Sequence, residues 1–353
     1  MLFITGIAIG ALGLFGIQAL RSRPTPLASP PTAAKANPTN HYDLLAMSPD
    51  ELAEVDIAVV NLLCAKGLPG AEKMDIPAIL KQLDEWAAKV KFETERHLYR
   101  AKDPRYAEHY ANSEARLRAE FIVQCLQEDC GVHYNTERIN TPDFRNSQDL
   151  FLHGLVGSDN GGTCSSMPLI YTAIGRRLGY PMKLVLASSH IFCRWDGENE
   201  RFNIEGASNG GVSYYEDNYY RTWPKPLSEA SIKRGEYLKS LTPAEELSSF
   251  LIDRGMCLDQ NGRYPEARAA FAEAHRLMPQ SEFHLSRLAI AMRQIFSPGH
   301  TAASRRQEDV DRWLQQFMVP DPQPGPPQIP RPGGPPPGPR LPGNPPPGGS
   351  KNP

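Results

Sequence analysis

The residues best suited to chemistry are a cysteine in a glycine turn, Gly161-Gly162-Thr163-Cys164-Ser165-Ser166, and a histidine that follows at His190, just before Ile191-Phe192-Cys193-Arg194-Trp195. An apolar helical pattern, Leu169, Ile170, Ala173, Ile174 and Leu178, begins right after the cysteine. A helix N-terminus carries unpaired N–H groups and partial positive charge, which favours thiolate over thiol. The N–H groups of Gly161, Gly162, Thr163 and Ser165 are candidates to hold the oxyanion of a tetrahedral intermediate. The glycines let backbone and substrate approach closely. The chemistry these residues point to is acyl transfer, with Cys164 as nucleophile and His190 as base.

A third member is needed to orient the imidazole. Lys183 to Ala187 reads as a strand, and the turn Asp196-Gly197-Glu198-Asn199 joins the segment carrying His190 to Glu200 through Gly206. A regular hairpin on that turn pairs Trp195 with Glu200 and sets His190 opposite Glu205. Cross-strand partners share a face within about 5.5 Å at Cβ. Asn203, two residues away on the same face, is the reserve candidate. A slip of one residue would carry Glu205 to the other face. Neither a metal nor a cofactor is expected. His190 and Cys193 alternate to opposite faces of a strand, and Cys125, Cys130 and His133 lack an evident fourth ligand. His153 reads as a packing residue. Asp159 and Asn160 are candidates for a polar wall or an oxyanion donor beside the turn.

The elements that must position these groups are mostly helical. Ser48-Pro49-Asp50-Glu51 is a capping box with proline at the first helical position, and it opens a helix that stops at Gly67. A second long helix carries Ile79, Leu83, Trp86 and Val90, and a third runs through Leu117, Phe121 and Leu126 to end at Gly131. Helices followed by a nucleophile helix on antiparallel strands make an α+β layout. A second capping box, Thr242-Pro243-Ala244-Glu245, opens a further helical region. There Gly255, Ala267, Phe271, Ala274 and Pro279 sit at the offsets of one tetratricopeptide repeat, with Phe271 filling the seam between two helices. Two more helices are expected, around residues 283–296 and 307–317.

The chain has 353 residues and a net charge of −2, so nothing in its balance indicates nucleic acid. Its six cysteines are scattered and read mostly as small buried residues in a reducing compartment. Residues 1–20 carry no charged side chain, and about 20 residues suffice to span a bilayer. The absence of a basic start and the poor cleavage site Ile17-Gln18-Ala19-Leu20 favour an uncleaved anchor over the alternative, a cleaved signal peptide. Arg21 and Arg23 then place the main domain on the cytoplasmic side of that single N-terminal span. Residues 21–41 form a Pro/Ala-rich linker, and 319–353 a Pro/Gly-rich tail expected to be disordered.

As a set, Gly162-Thr163-Cys164, Gly175-Arg176-Arg177-Leu178-Gly179-Tyr180-Pro181, His190 with Arg194-Trp195, and Asn203-Ile204-Glu205 resemble the transglutaminase-like superfamily. The closer resemblance is to a bacterial branch with a helical N-terminal half and a trailing tetratricopeptide segment. It implies a papain-like core over residues 42–240, then a tetratricopeptide-like segment over 241–318. Cys164, His190 and Glu205 would form its catalytic triad. Active members usually show aspartate or asparagine third, so Glu205 departs from the pattern. The expectation is a membrane-anchored cysteine enzyme acting on a protein or peptide, as protease, amidase or transglutaminase; hydrolysis is favoured because water is always at hand. The alternative is a catalytically idle scaffold that binds a protein partner through the tetratricopeptide segment.

Overall fold

The computed structural model describes residues 37–138, 141–206 and 211–296. The anchor expected at 1–20, most of the linker, the helix expected at 307–317 and the proline-rich tail lie outside the described residues. Among the described residues, no helix is long and apolar enough to cross a membrane.

The N-terminal half is helical. Helices α1 (His41–Leu45), α2 (Pro49–Ala53) and α3 (Ile57–Ala65) come first. The Ser48 capping box forms as the sequence requires. The single helix expected from there to Gly67 is nevertheless broken in two. Asp56 causes the break: its carboxylate accepts the Ala58 N–H at 2.8 Å and so caps a new helix. Helix α4 (Ile76–His97) turns Ile79, Leu83, Ala87 and Val90 to the core at helical spacing. Helix α5 (Glu114–Gln124) starts at a Ser113 cap, and its last turn is a π-turn over Cys125–Asp129 rather than regular helix to Gly131.

Helix α6 (Met167–Arg177) is the centre of the domain, with every residue from Met167 to Gly175 buried. It packs on a three-stranded antiparallel sheet of β1 (Met182–Ala187), β2 (His190–Asp196) and β3 (Arg201–Ile204), in that spatial order. A Cβ on Gly175 would lie 2.4 Å from the Met182 side chain, so only glycine lets α6 approach β1 this closely. One sheet face, with Leu184, Cys193, Trp195 and Ile204, joins the main core. The other, with Val185, Ala187 and Phe192, is covered by Tyr220 and Leu238 from the segment that holds α7 (Asp217–Tyr220) and α8 (Glu229–Lys233). Helices around one small antiparallel sheet make the fold α+β.

Helices α9 (Pro243–Gln260), α10 (Tyr264–Leu277) and α11 (Glu282–Phe296) follow. A Cβ on Gly255 would sit 2.4 Å from the fully buried ring of Phe271, so the two residues fill the α9–α10 seam together. This helical segment is fastened to the domain rather than standing free of it. Arg254 donates to the Cys64 and Lys66 carbonyls at 2.8 and 2.9 Å, which satisfies the end of α3. Arg176 grips Glu246 with two bonds, of 2.9 and 2.5 Å, and thereby ties α6 to α9.

Candidate active site

The cysteine turn is built by local hydrogen bonding. Thr163 Oγ1 accepts the Ser165 N–H at 3.2 Å, while Ser166 Oγ accepts the Thr163 N–H at 3.1 Å. This reciprocal pair is a compact form of the capping box. With Met167 N–H bonded to the Thr163 carbonyl at 3.0 Å, it holds Cys164 in the first turn leading into α6. The Thr163 hydroxyl donates to the Asp149 carbonyl at 2.6 Å. The buried Asp149 carboxylate accepts from Asp143 N–H at 2.7 Å and from the Asn160 amide at 3.0 Å. Asn160 therefore braces the turn, and Asp159 is exposed beside it. His153 is a packing residue: burial pulls its imidazole down to about 4, and its Nε2 has no hydrogen-bond partner.

Residues His133 to Asn135 run parallel to the glycines, with Tyr134 paired to Gly162. Gly162 donates to the His133 carbonyl at 2.9 Å and accepts from Asn135 N–H at 2.8 Å. Gly161 has φ +77°, a backbone conformation that strains any residue with a Cβ. One expectation is corrected here. The N–H groups of Gly162, Thr163 and Ser165 all have internal partners, so these three are not free to hold an oxyanion.

The hairpin register also differs from the expectation. Asp196 pairs with Arg201 and the turn is Gly197–Glu200, so Trp195 pairs with Phe202 rather than Glu200. Moving a four-residue turn by one position shifts the register by two. An even shift leaves every side chain on its face. Carried one residue past the Cys193–Ile204 pair, the register sets Glu205 opposite Phe192 and diagonal to His190. The glutamate side chain covers that diagonal: its Oε2 lies 2.7 Å from His190 Nε2. Two backbone bonds of 2.9 Å to Ser213 pin Glu205 in place. His190 is itself fixed as the first residue of β2, directly after the two-residue turn Ser188-Ser189.

The histidine is buried and held toward its charged form. Burial alone would pull the imidazolium down, but the Glu205 charge and hydrogen bonding to Cys164 and Glu205 push it up to about 10. Trp223 stands edge-on to the ring at 4.8 Å between centres. Tyr220 lies nearly parallel to it at 6.1 Å, stacked on Phe192 at 3.8 Å, and its hydroxyl donates to Glu205 Oε2 at 3.3 Å.

Asn203, the reserve third member, is directed elsewhere. Its Oδ1 accepts from Arg194 Nε at 2.7 Å, and its Nδ2 donates to the Tyr215 carbonyl at 2.9 Å and to Asp217 at 2.8 Å. Arg194 is 1 % exposed and reaches Asp217 at 2.5 Å, so this network clamps the α7 segment onto the sheet. Cys193 points into the core on the opposite face from His190, donates to the Pro168 carbonyl at 2.9 Å, and is pushed up to about 12 by burial. Cys164, by contrast, is partly exposed.

Tyr134, Tyr220 and Trp223 are the site residues that sequence reasoning missed. Only the aromatic density of Tyr214-Tyr215, Tyr219-Tyr220 and Trp223 could have flagged two of them. Residues 77–248, which contain Cys164, His190 and Glu205, match the family model described as the transglutaminase-like superfamily. No curated protein and no solved structure matches the chain.

Proposed function

We propose, from the match of residues 77–248 to the family model of the transglutaminase-like superfamily, that the chain is a cysteine enzyme that cleaves or transfers the acyl group of an amide in a protein or peptide. Cys164 is the nucleophile, His190 the acid–base and Glu205 the orienting carboxylate. The observation that carries this reading is the buried 2.7 Å contact of His190 with Glu205, made by a ring that also engages Cys164.

The steps follow from those positions. The Cys164 thiol proton resides on His190, and the thiolate attacks the amide carbonyl carbon, forming a C–S bond and a tetrahedral oxyanion. The C–N bond then breaks as His190 returns the proton to the leaving nitrogen. The thioester that remains is taken by water, giving an acid, or by an amine, giving a new amide. Glu205 keeps the imidazole in one tautomer and steadies its cation, with Nε2 toward Glu205 and Nδ1 left for the thiol.

The Gly255–Phe271 helix pair acts in this reading as a buttress of tetratricopeptide character, since α9 is fastened to α3 and α6. The anchor at residues 1–20 belongs to the same proposal, and labelling of intact cells from outside tests it, with a protected main domain expected. For the chemistry, the test is incubation with a glutamine peptide and a biotinylated amine. Ammonia without labelled peptide identifies a hydrolase, and ammonia with labelled peptide a transamidase. Equal ammonia release from wild type and Cys164→Ala would refute the proposal.

A further inference from the structure

Glu205 stands one residue past the end of β3, beyond the paired residues of the β2–β3 ladder. Ser213 holds its own peptide groups. The residue that follows is held from a different direction, by the nucleophile helix. The Gly206 carbonyl accepts from the Tyr171 hydroxyl at 2.9 Å and from Gln127 Nε2 at 3.0 Å. Gln127 Nε2 also donates to the Tyr171 phenol oxygen at 2.9 Å, which closes a triangle of three bonds.

Each corner of the triangle is set by its surroundings. Tyr171 lies in the second turn of α6, the helix that Cys164 leads into, and is 1 % exposed. Burial pushes its phenol well above the ordinary range, so the hydroxyl keeps its proton and remains a donor. A Cβ on Gly206 would lie 2.6 Å from Cε2 of this buried ring, so the close approach demands glycine directly after Glu205. Gln127 comes from the middle of the π-turn Cys125–Asp129. A few residues further on, His133 and Asn135 bond to Gly162 beside the thiol. One carbonyl therefore gathers the nucleophile helix, the segment that leads to the glycines, and the strand end that carries Glu205.

We propose that Tyr171 and Gln127 are positioning residues of the triad: by fixing the Gly206 carbonyl, they hold Glu205 where its Oε2 meets His190 Nε2 at 2.7 Å. They act through Glu205 and not on the substrate. A phenol that accepts one hydrogen bond donates the next more strongly, so Gln127 reinforces the bond that Tyr171 makes. Because α6 also begins at the Cys164 turn, thiol and carboxylate take their positions from the same helix. The triangle thus accounts for a phenol and an amide that meet beside α6, where apolar side chains would pack without the cost of burying polar groups.

This inference rests on the reading of Cys164, His190 and Glu205 as a triad, and its test separates the two. The readout is the titration of the His190 ring, followed by NMR in the full chain with labelled histidine and assigned by the signal lost in His190→Ala. The groups that raise this ring are Glu205 and Cys164, and in wild type it should titrate at about 10. Tyr171→Phe removes the donor and keeps the ring, and should lower that value by about 0.5–1 pH unit, the scale of one hydrogen bond. In a Glu205→Gln background the same substitution should move it by less than about 0.2 unit, because the carboxylate that transmits the effect is gone. An unshifted His190 in Tyr171→Phe overturns the inference, even where thermal unfolding shows the variant to be less stable. An equal shift in both backgrounds also overturns it, since Tyr171 would then act on the ring without Glu205. A wild-type ring that titrates near 6.5 and is unmoved by Glu205→Gln overturns the triad reading itself. If Tyr171→Phe fails to fold, Gln127→Met alters a half-buried side chain instead. A fall in the same direction is then expected, and an unshifted ring again counts against the inference.

Discussion

Replacing Glu205 by glutamine removes a charge from the site while leaving its shape. In the native protein the imidazolium is held at about 10 against a burial effect that acts the other way. The gap from the ordinary 6.5 corresponds to about 5 kcal/mol. Glu205 is the largest upward influence and lies 2.7 Å from the ring. Without it, burial is opposed by Cys164 alone, and the imidazole falls toward its ordinary value. At pH 7.5 a group with pKa 6.5 is about one-tenth protonated, whereas the native ring is protonated almost completely. A cation beside a thiol is what favours thiolate at neutral pH. Glu205→Gln should therefore slow the alkylation of Cys164 at pH 7.5 by at least about tenfold, and the loss should shrink as pH approaches ~8.5, where an ordinary thiol ionises unaided. The assay is the rate of iodoacetamide labelling against pH, read at Cys164 by peptide mapping. Cys64, Cys125, Cys193 and Cys257 are buried, which leaves Cys130 as the chief competing thiol. A glutamine variant with the wild-type rate and pH profile would refute the reasoning, because the charge of Glu205 would then have no hold on the reactive pair.

Three further outcomes are expected. The imidazole of His190 is higher in the folded than in the unfolded chain, so the stability it contributes is complete below about 6.5 and is lost as pH rises through about 10. Urea stability should fall by about 1.4 kcal/mol per pH unit inside that window, with a clearly flatter curve in Glu205→Gln; equal slopes contradict the account. Arg194→Met strands Asn203 and the half-exposed Asp217, and should cost about 2–3 kcal/mol in urea unfolding, while a loss under about 1 kcal/mol would show that the network is not a clamp. Gly255→Val forces a side chain into Phe271 and should cost about 3 kcal/mol in thermal unfolding. Phe271→Leu should recover part of that loss, and additive effects would contradict a shared seam.

The cysteine turn was legible as a glycine turn leading into a helix because its structure is local, although the Thr163 and Ser166 side-chain bonds that shape it were not read from the sequence. The hairpin was legible in its faces but not in its register. Polarity could not decide whether Asp196 ends the strand or begins the turn, yet an even shift preserves which residues share a side. Glu205 reached His190 for that reason, by the diagonal rather than the direct pairing. The break at Asp56 was hidden by a continuous apolar pattern across it, although the cap residue itself was visible. The walls of the site were not legible at all. Tyr134 is 30 residues before the thiol and Tyr220 is 30 after the histidine, and no periodicity links them to either. Their roles depend on how the chain folds back over the second sheet face and along the glycines, which only tertiary packing determines. The commitment of the turn N–H groups likewise shows only once His133, Thr163 and Ser166 have coordinates.

The most direct test of the central claim is to trap the acyl-enzyme. Wild type, Cys164→Ala and His190→Ala are incubated with an activated ester, quenched in acid and analysed by peptide mass mapping. The account predicts an acyl group on the peptide containing Cys164 in wild type, removed by hydroxylamine as a thioester must be, absent in Cys164→Ala and strongly reduced in His190→Ala. An unmodified Cys164 peptide in a folded wild type whose thiol still reacts with iodoacetamide would contradict it.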